Sequence, residues 1–105
     1  MIWYDAFSIS ESGTESLRND DYRYIDAKEG LFVLADGMGG RPKGNLASSM
    51  AVNTFVSEIL EMGNDVRMKR DSIRHVVELT NKKVRSLSYD NPELMGTGTT
   101  LTAVI

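Results

Sequence analysis

Residues 31–48 read LFVLADGMGGRPKGNLAS, and this stretch decides the fold. Leu31–Leu34 are apolar and follow a glycine, which predicts a short buried strand. The strand ends at an acid, Asp36, and residues 37–44 then contain four glycines and a proline. A helical apolar period begins near Asn45. A strand, an acid, a glycine turn and a helix in this order are typical of a segment that holds a charged ligand. Asp-Gly is also a common pair in turns. The loop alone therefore fits a purely structural turn as well as it fits a ligand-binding site.

Composition bounds the class of protein. The chain has 105 residues, the size of one small domain. Its net charge of −3 at pH 7 argues against a nucleic-acid partner. It has no cysteine, which excludes thiol chemistry and fits a cytoplasmic location. No signal peptide is recognised and no window approaches ~18 apolar residues, so we expect no membrane association.

The residues before this stretch predict a hairpin. Residues 2–10, rich in aromatic and β-branched side chains, predict a first strand. Tyr22–Asp26 predicts a second strand, and about four residues separate it from the strand at Leu31. Antiparallel pairing sets the start of one strand opposite the end of the other. The hairpin therefore gathers three carboxylates at one edge, those of Asp20, Asp21 and Asp36.

The residues after this stretch predict two helices and a last strand. The first helix covers Leu46–Met62, and the second runs from Val66 or Ser72 to Leu87. The short link between them predicts an antiparallel pair. A loop follows over Tyr89–Gly98, and residues 99–105 predict a strand in which the chain stops, so we expect a truncated domain. Core positions are predicted at Ala47, Met50, Ala51, Val52, Phe55, Val56, Ile59 and Leu60 of the first helix, and at Ile73, Val76, Val77, Thr80, Val84 and Leu87 of the second.

The three acids suggest a metal site. Asp20, Asp21 and Asp36 cannot lie within ~4–5 Å of one another as anions without a compensating cation or a proton. Oxygen ligands favour Mg²⁺, Mn²⁺ or Ca²⁺ over zinc, and the spacing is not that of a calcium-binding EF-hand. Two ions that share a carboxylate would activate water for attack on a phosphoryl group.

Three blocks resemble, in the family's order, the metal-dependent protein phosphatases of type 2C, and the middle block is typical of bacterial members. They are GTESLRNDD at Gly13–Asp21, LADGMGGRPKGNLAS at Leu34–Ser48 and GTTLTAVI at Gly98–Ile105. The resemblance implies hydrolysis of phosphoserine and phosphothreonine in proteins, with a two-metal centre of Mn²⁺ or Mg²⁺. It also implies a two-sheet β-sandwich flanked by helices. Because the family is considerably longer, residues 1–105 are interpreted as one partial domain, its N-terminal half. The expected class is α+β, half of the sandwich with an antiparallel helix pair, in the order β-β-β-α-α-β.

The resemblance also implies roles for single residues. Asp36 corresponds to the acid that bridges the two ions, and Gly37 would give its backbone carbonyl to one of them. Asp20 stands where the family has a glutamate on that same ion. Asp21 would order metal-bound water, so Asp36 and Asp21 are the catalytic candidates. Hydroxide would attack phosphorus directly, without a phosphoenzyme.

Three departures bear on activity. Ser16 stands where the family usually has its phosphate-binding arginine, and Arg18, two residues on, is the candidate replacement. Met38 stands where many eukaryotic members have a histidine acid, as it often does in bacterial members. The family's later acidic segments, which complete the second metal's ligands, have no counterpart in this chain.

Three hypotheses follow. In the first, the chain is part of an active phosphatase that acts on phosphorylated proteins, with a cognate serine/threonine kinase as a candidate partner, and is inactive alone. In the second, it is a non-catalytic half-domain that associates with a missing C-terminal half or with itself through an uncovered sheet. In the third, it is a pseudophosphatase whose loop binds partners but no metal.

Overall fold

The computed structural model describes residues 21–38, 44–67 and 69–105, and these form one sheet and a layer of helices. The expected α+β class is confirmed. The first strand predicted over residues 2–10 lies outside the described residues, and the two-sheet sandwich and the domain boundaries stay predictions. In chain order the elements are β1 (Asp21–Asp26), β2 (Leu31–Asp36), α1 (Gly44–Glu61), α2 (Asn64–Arg67), α3 (Arg70–Asp90), a 3-10 turn (Pro92–Leu94) and β3 (Thr102–Val104).

The predicted hairpin is confirmed in its pairing, and β1 begins one residue before the predicted Tyr22. β1 and β2 run antiparallel, with four residues between them. The turn ends at Gly30, whose φ of 68° is a left-handed conformation that glycine adopts without strain. The backbone N–H of Glu29 donates to the carboxylate of Asp26 at 3.0 Å and closes the turn. Partial burial of the Tyr24 phenol raises its pKa, and its hydrogen bond to Asp26 acts in the same direction.

The third strand joins the free side of β2. The sheet order is β1-β2-β3, and both pairings are antiparallel. β3 is shorter than the predicted strand over residues 99–105, because only an isolated bridge at Thr99 precedes it. Between this bridge and β3 the ladder of backbone hydrogen bonds is interrupted, because the side-chain hydroxyl of Thr100, and not its backbone carbonyl, accepts the N–H of Asp36.

The two faces of the sheet differ in what covers them. Leu31, Val33 and Ala35 are buried and point towards the helices. Alternation places Phe32, Leu34 and Asp36 on the opposite face. We call this opposite side the open face, because none of the described helices packs on it. Cross-strand pairing sets these side chains of β2 beside Asp21, Arg23 and Ile25 of β1 and Thr102 and Val104 of β3.

Helix α1 covers the other face and begins two residues before the predicted Leu46. Its core positions are confirmed except at two sites, since Met50 is half-buried and Leu60 is 39% exposed. The start of the helix lies close to the chain that follows β2, because a Cβ on Gly44 would come within 2.9 Å of the Met38 carbonyl oxygen. The buried residues are Gly44, Ala47, Ser48, Ala51, Val52, Phe55, Val56 and Ile59.

Of the two predicted starts of the second helix, Ser72 lies two residues from the observed start of α3, and the single turn α2 is separate from it. Three predictions for α3 are wrong: the helix includes Tyr89, which was predicted as loop, Val77 is 45% exposed, and Ile73 is only half-buried. It ends where Asn91 takes an extended conformation before Pro92, because proline disfavours a helical residue in front of it.

The helix pair is antiparallel, as predicted. Ala47 and Ala51, from the beginning of α1, pack in one buried cluster with Val84 and Leu87, from the end of α3. Val76, near the beginning of α3, packs in a second cluster with the later part of α1 and with the sheet. No helix in the described ranges is both long enough and apolar enough to cross a membrane.

Candidate metal centre at one end of the sheet

Two of the three predicted acids face each other across the hairpin. Asp21 is the first residue of β1 and Asp36 the last residue of β2, and the register pairs them directly. Side chains of such a pair lie on the same face, with Cβ atoms about 4.5–5.5 Å apart. Both residues are exposed. The gathering of acids is therefore confirmed for Asp21 and Asp36, whereas Asp20 lies outside the described residues.

The acid pair fits a hard divalent cation. Two carboxylates directly opposite repel each other, and a cation between them removes that repulsion. Mg²⁺ and Mn²⁺ are bound by oxygen ligands, and Mg²⁺ in particular keeps several waters and needs only one or two carboxylates. Within residues 21–38, 44–67 and 69–105, no three acids or histidines come together as a larger metal-binding group. Among the described residues, the carboxylates brought together at this end of the sheet are therefore those of Asp21 and Asp36.

The backbone after Asp36 is held by the segment before β3. Gly37 is buried and forms an antiparallel bridge with Thr99, and the N–H of Met38 donates to the carbonyl of Gly98 at 3.1 Å. Hydrogen bonding alternates along an antiparallel pair, so the N–H and C=O of Gly37 point away from Thr99, towards the β1 side. The Gly37 carbonyl, which the resemblance implies as a metal ligand, is therefore directed to the side of β2 on which Asp21 lies.

Sequence reasoning matched the segment Gly98–Thr100 to the family but gave it no role in the site. The structure brings it beside the Asp36–Met38 segment, and the Met38 side chain rests on Gly98, where a Cβ would lie 2.9 Å from its Cε atom. The sequence predicted a strand over residues 99–105 but no partner for it, so it could not place this segment beside Asp36.

A groove of about 410 Å³ lies beside Met38 and the 97–99 segment. Its lining includes Arg85, which α3 supplies and which sequence reasoning did not single out. The Arg85 guanidinium donates to the Tyr89 hydroxyl at 2.9 Å and lies 5.8 Å from the centre of that ring. The predicted phosphate-binding residue, Arg18, lies outside the described residues and stays a prediction.

Comparison with known proteins identifies the class. The chain is 35% identical over 100 residues to the protein phosphatase PhpP of Streptococcus pneumoniae, covering 89% of this chain and 39% of that protein. It is 34% identical over 97 residues to the serine/threonine protein phosphatase PstP of Mycobacterium tuberculosis, covering 91% of this chain and 18% of that protein. No protein-family model matches the chain.

Solved structures agree in fold. The catalytic domain of PstP, crystallised with two manganese ions, superposes with a TM-score of 0.75 at 31% identity, over 92% of this chain and 40% of that one. A bacterial serine phosphatase superposes with a TM-score of 0.76 at 26% identity, over 90% of this chain and 40% of that one. The relatives are bacterial serine/threonine protein phosphatases, and the resemblance to the type 2C family is confirmed. The chain spans about two fifths of the length of PhpP and of these solved domains.

Proposed function

We propose that this chain forms the metal-binding end of a phosphatase domain that hydrolyses phosphoserine and phosphothreonine in proteins. The observation that carries the proposal is the register that sets Asp21 opposite Asp36. The likeness to PstP, whose catalytic domain was crystallised with two manganese ions, supports Mn²⁺ or Mg²⁺ as the cofactor. We also propose that the protein is cytoplasmic and that a cognate serine/threonine kinase is a partner.

Asp36 and its neighbours would hold the metal in distinct ways. Asp36 would share its carboxylate between two ions, while Asp20 and the Gly37 carbonyl would bind one of them. Asp21, one strand away on the same face, would accept a hydrogen bond from a water and orient it towards the phosphate. Bound Mn²⁺ or Mg²⁺ would supply Lewis-acid stabilisation and lower the pKa of water. Arg18 would bind the substrate phosphate.

The open face supports completion by further chain. Leu34 is 49% exposed and Val104 60% exposed, and both lie on the same side as the two acids. The face thus runs from an apolar row, formed by Ile25, Phe32 and Val104, through a mixed row at Leu34 to the acidic end. The second sheet of the proposed sandwich would cover the apolar part and leave the acids at the margin between the sheets. Without it, we expect no appreciable phosphatase activity from residues 1–105.

Calorimetry with Mn²⁺ tests the metal site directly. We expect the chain to bind Mn²⁺, Asp36→Asn to abolish binding, and Asp71→Asn to leave it unchanged. Asp71 is a matched control because it is an exposed aspartate in the first turn of α3, outside the acid pair. Equal binding by the parent and Asp36→Asn would contradict the assignment of Asp36. No binding by the parent would mean that this chain lacks enough ligands for the ion.

The second candidate is a non-catalytic association module, and the exposed Leu34 and Val104 favour it. The same samples separate it from the first candidate. A chain that binds no Mn²⁺ but self-associates in sedimentation velocity with rising protein concentration is a module of this kind. A chain that binds Mn²⁺ through Asp36 supports the phosphatase.

A further inference from the structure

The register of the sheet places one residue of the Gly-Thr-Thr segment directly against the proposed metal-bridging acid. The pairing of β2 with β3 extends to residues before the start of β3, because the isolated bridge joins Gly37 to Thr99 in the same register. One position from this bridge towards β3, that register sets Thr100 opposite Asp36. Opposed residues share a face, so the Thr100 side chain, like the Asp36 carboxylate, lies on the open face.

The hydrogen bonds at this rung depart from a regular ladder. The N–H of Thr100 donates to the carbonyl of Asp36 at 3.0 Å, as expected for a paired rung. The N–H of Asp36, however, donates to the side-chain Oγ1 of Thr100 at 3.1 Å, where a regular ladder offers the backbone carbonyl of Thr100. That carbonyl instead accepts the hydroxyl of Thr99 at 2.9 Å. One hydroxyl thus replaces a carbonyl at the rung that carries Asp36.

With this exchange Thr100 still holds both peptide groups of Asp36, as the partner in a regular hydrogen-bonded pair does, but one of the two bonds now depends on its side-chain hydroxyl. The N–H of Asp36 belongs to the peptide group before the Cα atom and its C=O to the peptide group after it, and Thr100 bonds to both. The Thr100 Oγ1 also lies 3.4 Å from the Asp36 carbonyl oxygen. Two fixed peptide planes fix the direction of the Cα–Cβ bond between them. The constraint matters here because the next residue is Gly37, and glycine leaves a chain wide conformational freedom.

We propose that Thr100 is a positioning residue that orients the Asp36 carboxylate for metal binding, through a hydroxyl that stands in for a backbone carbonyl. The metal part of this proposal rests on the proposed function. The backbone part rests on the hydrogen bonds alone. Because Asp36 and Thr100 are exposed, water can replace the lost bond when the hydroxyl is removed. Removing it should therefore loosen Asp36 more than it destabilises the domain.

Three variants test the role of Thr100. Thr100→Val removes the hydroxyl and keeps the β-branched shape, and Thr100→Ser keeps the hydroxyl. Thr102→Val is the matched control, because Thr102 is exposed on the same face but pairs with Leu34. The first readout is hydrogen exchange of the Asp36 amide by NMR in the presence of EDTA. The second is Mn²⁺ affinity by calorimetry.

We expect Thr100→Val to lose the exchange protection of the Asp36 amide and to bind Mn²⁺ about 10-fold more weakly, as when a hydrogen-bond partner of a metal ligand is removed. Thr100→Ser and Thr102→Val should match the parent in both readouts. Unchanged protection or unchanged affinity in Thr100→Val, failure of the serine to restore them, or equal losses in Thr102→Val would overturn the proposal. If the parent itself binds no Mn²⁺, the metal site in this chain is refuted, and the Asp36 amide alone decides whether Thr100 holds Asp36.

Discussion

Replacing Gly44 by alanine should destabilise the protein, although alanine is the better helix former. An added Cβ would lie 2.9 Å from the Met38 carbonyl oxygen and 3.2 Å from both its carbonyl carbon and its amide nitrogen. These are backbone atoms, so they cannot move aside as a flexible side-chain end can. Forcing a methyl group into a packed contact costs about 1–3 kcal/mol, whereas the helix propensity of alanine returns at most about 1 kcal/mol. Gly44 is the first residue of α1, where helix propensity counts for less than in the interior, so we expect a net loss of about 1–2 kcal/mol.

A second glycine provides the opposite case. A Cβ at Gly63, between α1 and α2, would meet nothing within 4 Å. Gly63→Ala should raise the free energy of unfolding by about 0.4–1 kcal/mol, because it reduces the freedom of the unfolded chain. Urea unfolding gives the free energy of unfolding of both variants. With m-values of about 1–3 kcal/mol/M, the midpoint of Gly44→Ala should move to lower urea concentration and that of Gly63→Ala to higher. A Gly44→Ala protein at least as stable as the parent would refute the close approach of α1 to the Met38 backbone.

Two further predictions concern the core and the hairpin. Phe55→Ala should lower the free energy of unfolding by about 3–5 kcal/mol, because Phe55 is 2% exposed in the main buried cluster. Leu60→Ala should lower it by less than about 1 kcal/mol, because Leu60 is 39% exposed. Equal losses in urea unfolding would contradict this burial pattern. Because the pKa of Tyr24 in the folded protein is above the ordinary 10.0, its neutral form stabilises the fold fully below pH 10. As pH rises through the raised pKa, the parent should lose stability relative to Tyr24→Phe. If urea unfolding from pH 9 upwards gives a constant difference in unfolding free energy between the two proteins, this expectation is contradicted.

Local signals in the sequence determined the elements and the candidate acids. The alternating residues of β1, the apolar run of β2 and the short turn between them predicted the hairpin, and the hairpin predicted that Asp21 meets Asp36. The apolar run also predicted a buried strand, which is wrong at Leu34, because that residue is 49% exposed. The helical apolar period predicted α1 and most of the α3 core positions. It failed at Leu60 and Val77, which are exposed, and at Met50 and Ile73, which are half-buried, because periodicity shows which face of a helix is apolar but not how wide a strip its neighbours cover. The end of α3 was placed too early, at Leu87, because no apolar position follows there.

The sequence by itself determined that the chain is an α+β phosphatase-like segment with an acidic strand end. Hydrophobic periodicity, turn residues and sequence motifs are each formed by residues close together in the chain, so they can be recognised without the structure. Only the tertiary structure decided how that strand end is held. The bond from Asp36 to Thr100 joins residues 64 positions apart, and it depends on the packing of the helices between them. The proximity of Gly44 to Met38 and the exposure of Leu34 were likewise decided by the assembled sheet and helices. Such contacts form where separate elements meet, and no local pattern in the chain encodes them.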